Sequence, residues 1–184
     1  MTFANWLTVG RIFLVPFFVI FLAYYEPGKD GFRLAAFGMF ITAAVTDALD
    51  GYIARHWDQK STLGSFLDPL ADKLLILAAF LTVYFSSSFP LKPPVWVTII
   101  IVSRDITIIA GLLVIFLSTG QVKMEPNFLG KVTTAFQMAT MASILLLLPF
   151  SPILWYITAV LTIASVLVYV VREGKRMNAA GTNS

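Results

Sequence analysis

Long apolar runs separated by short polar breaks set the strongest limit on the fold of this chain. Of its 184 residues 58% are hydrophobic, only 12% are charged, and the mean hydropathy is +0.84, whereas soluble domains use about 45–50% apolar residues. A helix that crosses a bilayer needs about 20 predominantly apolar residues. Turn residues divide the chain into segments of that length. The predicted spans are Ala4–Tyr25, Phe32–Arg55, Leu63–Ser86, Val95–Leu117, Phe128–Leu148 and Ile153–Val171.

This pattern predicts an all-α integral membrane protein, a bundle of six transmembrane helices that forms a single domain over residues 1–184. The stretch Arg172–Ser184 is polar, and we expect it to fray. The apolar run Ile12–Tyr25 lacks a preceding basic region and a small-residue cleavage site, so it is interpreted as a permanent span and not as a cleaved signal.

The basic residues that flank the spans predict the orientation, because cytoplasmic loops carry an excess of Lys and Arg. With a cytoplasmic N-terminus, that side holds Arg55, Lys60, Lys123, Arg172, Lys175 and Arg176. The opposite side holds Lys29, Arg33 and Lys92. We therefore expect a multi-pass protein with both termini cytoplasmic.

Charge and residue usage exclude several kinds of site. The net charge of +3 is modest and gives no indication of a nucleic-acid partner. Without cysteine and with a single histidine, the chain cannot build a thiolate or histidine cluster. A metal held by this chain must be bound through oxygen, which favours magnesium, manganese or calcium.

Two short stretches place carboxylates inside this apolar chain, DALDGYIAR at residues 47–55 and GSFLDPLAD at residues 64–72. Each carboxylate costs about 2.5–3.5 kcal/mol at the centre of a membrane helix. Asp47, Asp50, Gly51 and Ala54 share one helical face by spacing, and Gly64, Asp68 and Asp72 share a face of the next helix.

The loop between the two stretches is short, so their helices are predicted to be antiparallel neighbours with their acidic faces meeting near the cytoplasmic boundary. Four carboxylates there suit two divalent cations that grip a pyrophosphate. The small residues leave room for a bulky group, and Arg55 offers a guanidinium fork to phosphate. A single aspartate of this kind could instead cap a helix or pair with Lys73, Arg55 or Arg104, but the glycines and alanine on the same faces favour the binding site.

These residues match a known motif without a gap. Asp50, Gly51, Ala54, Arg55, Gly64, Asp68 and Asp72 fit D-G-x2-A-R-x8-G-x3-D-x3-D, and Asp47 supplies the preceding acidic position. The chain thus resembles the CDP-alcohol phosphatidyltransferases over nearly its whole length. The resemblance implies six spans, a homodimer, and transfer of a phosphatidyl group from CDP-diacylglycerol to an acceptor hydroxyl with release of CMP.

The resemblance also implies a role for each residue of the motif. Asp47, Asp50, Asp68 and Asp72 would bind two divalent cations, Mg²⁺ or Mn²⁺. The CDP group would lie against Gly51, Ala54 and Gly64 with Arg55 on the diphosphate. Asp72 would also be the base that deprotonates the acceptor.

The acceptor must be inferred from other charges, above all Arg104 in span four and Lys131 in span five. Arg104 could pair with Asp105, but adjacent residues do not face each other on a helix, so we expect Arg104 and Lys131 to bind the acceptor phosphate. For Lys131 the alternative is a side chain that snorkels to the interface.

Two branches of the family resemble this chain. Phosphatidylglycerophosphate synthases carry further cations at the positions of Leu112 and Thr133, which are neutral in this chain. The stretches S-R-D-I at 103–106 and V-K-M-E-P-N-F-L-G-K-V-T-T at 122–134 resemble the cardiolipin synthase pattern, apart from Gly130 and Thr133. We therefore favour phosphatidylglycerol as acceptor, giving cardiolipin, and keep glycerol 3-phosphate as the alternative.

Other classes explain less of the sequence. A divalent-cation channel or transporter accounts for the carboxylates but not for Ala54, Arg55 and the glycines. In intramembrane prenyltransferases the acidic motifs lie on widely separated helices, whereas in this chain both fall between Asp47 and Asp72. A scaffold subunit would gain nothing from four costly acids.

Overall fold

The computed structural model describes residues 3–56, 62–119 and 128–181, which form six α-helices. Their bounds are α1 Phe3–Ala23, α2 Asp30–His56, α3 Thr62–Phe85, α4 Val95–Thr119, α5 Phe128–Leu145 and α6 Ser151–Gly181. The prediction of an all-α chain with a helix at each apolar run is confirmed. The structure contains no strand within the described ranges.

Helix α6 is longer than its predicted apolar span. The helix continues from the last apolar residues to Gly181, ten residues beyond Val171, and the fraying of the polar stretch stays a prediction. Hydropathy marks where apolar burial ends, but it does not mark where the helix ends. The segment after Val171 has no proline and contains good helix formers such as Arg, Glu, Lys, Met and Ala.

The third helix is the centre of the bundle, since α3 contacts α1, α2, α4 and α5. Around it, α1 packs on α2, α5 packs on α6, and α4 packs on α6. Two aromatic contacts show which helix ends lie on the same side of the bundle. The ring centroids of Tyr25, after α1, and Phe89, after α3, are 5.2 Å apart. The ring of Trp96 at the start of α4 stacks on that of Tyr156 near the start of α6.

The buried charged residues and most of the apolar core lie towards opposite ends of this bundle. The apolar core includes Phe18 and Leu22 of α1, Phe40 of α2, Ile76 and Phe80 of α3, Ile101 of α4, Met141 and Ile144 of α5, and Trp155 of α6. On every helix these residues lie on the side of the Tyr25–Phe89 contact. The buried Arg11, Lys73, Arg104, Asp105 and Gln137 lie towards the other end. One half is therefore sealed by apolar packing, and the charged groups begin where that packing stops.

The outer surface is apolar as well. Exposed large side chains line α1, α4 and α6, among them Phe13, Phe17, Ile99, Val114, Ile153 and Val160. Within the described residues, Val95–Val114 and Ser151–Tyr169 are long and apolar enough to cross a membrane, and Thr8–Ala23 is a shorter apolar stretch.

Arg33 at the start of α2 holds the end of α5. Its Nη1 donates to the carbonyl oxygen of Leu145 at 2.7 Å, one of the carbonyls that a helix end leaves without a partner. The chain then turns through Leu147, whose φ is +55°. The amides of Leu147 and Leu148 donate to the carbonyls of Ile144 and Ser143, both at 2.9 Å, which is the Schellman arrangement.

We predict that Arg33→Ala lowers stability by about 1–3 kcal/mol, the cost of leaving a buried acceptor unpaired. The melting temperature in detergent should fall by about 2–4 °C for each kcal/mol in a chain of this size. Lys29→Ala is the matched control, because it removes the exposed ion pair of Lys29 with Glu26, and such pairs contribute about 0–1 kcal/mol. Equal melting temperatures for both variants would contradict the capping role.

Candidate active site

The two acidic stretches lie on neighbouring helices. Asp47, Asp50, Gly51, Ala54 and Arg55 belong to the C-terminal part of α2, and Gly64, Asp68 and Asp72 belong to the N-terminal part of α3. The two helices contact each other, as the short loop predicts. Of these site residues only Asp72 has a described side chain; the side chains of the others lie outside the described part. The predicted metal and CDP ligands therefore remain predictions.

Asp72 sits at the edge of the buried region and is partly exposed. The next residue, Lys73, is 6% exposed. Its Nζ lies 3.2 Å from Oδ1 of Asp105 on α4 and donates to Oγ1 of Thr134 on α5 at 2.9 Å. Lys73 thus joins three helices directly beside the predicted catalytic base.

Asp105 is the centre of this buried cluster, with no exposed surface. Its Oδ1 accepts from Nη1 of Arg104 at 2.7 Å as well as from Lys73. Its Oδ2 accepts from Nε2 of Gln137 on α5 at 3.3 Å. We call Lys73, Arg104, Asp105 and Gln137 the buried charge cluster.

The expectation that Arg104 and Asp105 do not pair was wrong. Their Nη1–Oδ1 distance of 2.7 Å is a direct ion pair. Successive helical residues point about 100° apart, but the long, flexible arginine side chain can bend back to a neighbour when burial leaves the carboxylate no water to bind. The ion pair does not use up the guanidinium, however.

Two nitrogens of Arg104 are only weakly held. Nη2 donates to Oγ of Ser165 on α6 at 3.4 Å, at the long end of hydrogen-bond distances. Nε is buried and has no hydrogen-bond partner among the described residues. Oε1 of Gln137 is likewise buried without a partner among them. Buried polar groups are nearly always paired, so an unpaired donor and an unpaired acceptor in one cluster indicate a place for a polar ligand.

The charges of the cluster point to the sign of that ligand. Two cations, Lys73 and Arg104, share the single carboxylate of Asp105, which leaves these three groups with one net positive charge. The carboxylate of Asp72 also acts electrostatically on Lys73. The guanidinium of Arg104 retains donors that could bind an anionic group.

The other residues predicted for the acceptor lie differently. Lys131 is exposed, one helical turn before Thr134 on α5, and the structure does not bring it into the buried charge cluster. Leu112 is 1% exposed. Thr133 is fully buried, and its hydroxyl contacts the carbonyl oxygens of Leu129 at 2.8 Å and Leu161 at 3.3 Å.

Sequence reasoning did not propose two members of the buried charge cluster, Lys73 and Gln137, as site residues, nor two residues that contact it, Thr134 and Ser165. Lys73 was considered only as a basic residue near the acidic stretch, and Gln137, Thr134 and Ser165 were not singled out. A usable signal existed for Gln137, since it is a long polar side chain in the middle of a helix. No comparable signal marks Thr134 or Ser165, because Thr and Ser are common at helix contacts inside membranes.

The donor set suits magnesium or manganese in its chemistry, because carboxylate oxygens are the ligands these ions prefer. Spacing puts Asp68 and Asp72 one turn apart on the helix that the structure shows. Among the described side chains, no group of three His, Cys, Asp or Glu residues comes together. The predicted ligands therefore fit Mg²⁺ or Mn²⁺ in their chemical type and in their positions along the helix.

Comparison with known proteins adds an independent observation. Residues 1–171 match the family described as CDP-alcohol phosphatidyltransferase. The chain is 38% identical over 151 residues to CDP-diacylglycerol–glycerol-3-phosphate 3-phosphatidyltransferase of Bacillus subtilis, covering 77% of this chain and 75% of that protein. It is 39% identical over 173 residues to the protein of the same name from Haemophilus influenzae, covering 89% and 88%. It is 35% identical over 191 residues to cardiolipin synthase (CMP-forming) of Homo sapiens, covering 91% of this chain but 60% of that protein.

Proposed function

The chain belongs to the CDP-alcohol phosphatidyltransferase family and is an enzyme of that class, and from this premise we propose that its acceptor is phosphatidylglycerol. The proposed reaction moves the phosphatidyl group of CDP-diacylglycerol to a glycerol hydroxyl of that lipid. The products are cardiolipin and CMP. Overall identity does not decide the acceptor, because relatives of both kinds match at 35–39%.

The choice of acceptor rests on one observation, namely that Leu112 and Thr133 are neutral and buried. Both are buried, and the hydroxyl of Thr133 is already bonded within the bundle. Neither can supply the extra cation that a phosphate dianion such as glycerol 3-phosphate calls for. The guanidinium of Arg104 suits the singly charged phosphodiester of phosphatidylglycerol, whose acyl chains add apolar binding energy.

We place the donor against the acidic stretches. Asp47, Asp50, Asp68 and Asp72 would hold two divalent cations, and Gly51, Ala54 and Gly64 would leave space for the CDP group. Arg55 would donate to the diphosphate. Bound cations of this kind offset the charge of the diphosphate and of the departing CMP.

In the proposed reaction Asp72 accepts the proton of the acceptor hydroxyl. The side chain of Asp72 is partly exposed, and an ionised carboxylate can act as a general base. The hydroxyl oxygen attacks the β-phosphorus of CDP-diacylglycerol, and the bond between that phosphorus and the bridging oxygen breaks. CMP leaves with the electron pair of that bond. Arg104, with Lys131 at the exposed edge, holds the phosphate of the acceptor.

The apolar outer surface supports a membrane location for the whole bundle. We propose that all six helices span the bilayer as one domain, with the active site and both termini on the cytoplasmic side. We also propose that the protein is a homodimer, as the family resemblance implies.

A second acceptor is favoured by one specific observation. The relatives from Bacillus subtilis and Haemophilus influenzae, at 38% and 39% identity, are glycerol-3-phosphate 3-phosphatidyltransferases by name. Glycerol 3-phosphate is therefore the alternative acceptor, with phosphatidylglycerophosphate as its product. In that case Arg104 and Lys131 would bind the free phosphate.

Product identification separates the two acceptors. Purified protein in mixed micelles receives CDP-diacylglycerol and Mg²⁺ with either phosphatidylglycerol or glycerol 3-phosphate, and mass spectrometry identifies the lipid formed. We expect cardiolipin in the first mixture and no phosphatidylglycerophosphate in the second. Asp72→Asn protein serves as the control for contaminating synthases. Phosphatidylglycerophosphate from the wild type but not from the control would overturn the proposed acceptor.

A further inference from the structure

Asp105 has no part in the reaction as proposed, although it is the centre of the buried charge cluster. Its side chain is fully buried on α4, and it accepts from donors on three helices, Lys73, Arg104 and Gln137. A buried carboxylate is costly unless it is paired and hydrogen-bonded. A purely apolar contact would hold the helices together at lower cost, so the carboxylate calls for a functional explanation.

The contacts of Asp105 determine how the guanidinium of Arg104 is presented. Oδ1 of Asp105 accepts from Nη1 at 2.7 Å, which is much shorter than the 3.4 Å contact of Nη2 with Ser165. Nε has no partner within the described ranges. Nε and Nη2 form one edge of the guanidinium plane. Such an edge can bind two oxygens of a phosphate group in parallel.

We propose that Asp105 is a positioning residue that acts through Arg104. By holding Nη1, it turns the Nε–Nη2 edge towards the phosphate of the acceptor and fixes the guanidinium before the acceptor arrives. The proposal rests on the function proposed above, since it assigns Arg104 to an acceptor that carries a phosphate.

Preorganisation explains why the carboxylate matters for binding. A free arginine side chain has many rotamers, and ordering it at the moment of binding weakens affinity. In the bundle that ordering is already done by Asp105, while Lys73 and Gln137 hold the carboxylate itself in place. Loss of Asp105 should thus weaken acceptor binding and leave the donor site, on α2 and α3, largely unaffected.

The first test is kinetic. For Asp105→Asn we expect the acceptor KM to rise about tenfold or more, in line with the loss of an interaction with a charged group. The KM for CDP-diacylglycerol should change by less than about twofold. Thr158→Val is the control, because it removes a buried hydroxyl that contacts Thr140 at 2.7 Å between α5 and α6, outside the buried charge cluster. A parallel rise of both KM values in Asp105→Asn would indicate a structural role and overturn the proposal.

The second test asks whether Asp105 acts through Arg104. Arg104→Lys keeps the charge but removes the planar edge. In that background, Asp105→Asn should raise the acceptor KM by less than about twofold, because residues that work as one unit are not additive. Full additivity of the two substitutions would show that Asp105 acts independently and would overturn the proposal.

Asp105→Asn leaves buried cations without a counter-charge, so folding is checked by thermal unfolding in detergent. If that variant does not fold, Asp105→Glu keeps the charge and moves the carboxylate by one methylene. We then expect an unchanged melting temperature with an acceptor KM raised about threefold or more, and an unchanged KM overturns the proposal. The choice of acceptor is judged separately on the wild-type product. If that product is phosphatidylglycerophosphate, the acceptor proposal fails, and the same double-mutant comparison run with glycerol 3-phosphate still decides the role of Asp105.

Discussion

Removal of divalent cations is expected to stop CMP release from CDP-diacylglycerol almost completely. With excess chelator the rate should fall to about 0.1–1% of the rate with Mg²⁺, because metal ions supply several kcal/mol of charge stabilisation and each 1.36 kcal/mol is a factor of about ten. Added Mg²⁺ or Mn²⁺ should restore the rate.

The physical reason lies in the sign of the charges at the predicted donor site. Asp47, Asp50, Asp68 and Asp72 carry like charges on two helices that contact each other. The diphosphate of the donor adds more negative charge at the same place. Without cations, these groups repel one another and the donor, and Arg55 is the single cation in the two acidic stretches.

Two further measurements test whether the loss of activity comes from removal of the metal and not from the chelator itself. Chelator saturated with Mg²⁺ beforehand is the control for effects of the chelator itself. The melting temperature should rise with Mg²⁺, since a ligand that binds only the folded protein stabilises it by about 2.7 kcal/mol at 100 times its Kd. CMP release in free chelator at the rate seen with Mg²⁺ would refute the metal requirement.

The sequence predicts the helices well because apolar helices are specified by local composition. Each apolar run became a helix, and prolines and glycines marked the breaks, since both effects depend on residues close in the chain. The end of α6 lies beyond the predicted apolar span because hydropathy and helix propensity follow different residues. The segment from Arg172 to Gly181 is polar, so hydropathy predicts an end, while helix propensity allows the backbone to continue.

The sequence predicts site residues only where one stretch of chain carries the pattern, and the roles of the acidic residues stay predictions. The spacing of Asp68 and Asp72 is local, and it needs no knowledge of packing. The buried charge cluster is not local, since Lys73, Asp105 and Gln137 come from three helices. Their meeting depends on helix rotation and translation, which periodicity does not specify. The Arg104–Asp105 pair was missed because the rule for adjacent residues concerns helix faces and ignores the reach of a long side chain.

The burial of Leu112 and Thr133 is another property that the sequence alone does not show. The sequence shows that both are neutral, but it does not show whether water or a ligand could reach them. In the structure both are buried, and Thr133 is bonded to two carbonyl oxygens. Because both side chains are buried within the bundle, neither is available to contact the phosphate of an acceptor.

Asp72→Asn is expected to bind CDP-diacylglycerol but to lose turnover. Asparagine has nearly the same shape and keeps one oxygen that can ligate a cation, but it cannot take up the proton of the acceptor hydroxyl. General-base catalysis typically contributes about 10²–10⁴-fold, so kcat should fall by that factor. The donor KM should stay within about threefold of the wild-type value, because the substitution removes an interaction made only in the transition state.

The outcomes of this substitution separate the two roles assigned to Asp72. The matched control is Asp30→Asn, the same chemical change at an exposed residue that begins α2 and pairs with Arg33. Its kcat should equal that of the wild type. A normal kcat in Asp72→Asn would remove Asp72 from the base role. A large loss of donor binding with little change in kcat would assign Asp72 to cation binding alone, and the proton acceptor would then have to be another group near the acidic stretches. If Asp72, which precedes the buried Lys73, is the base, then Asp72→Asn must lower kcat and retain donor binding.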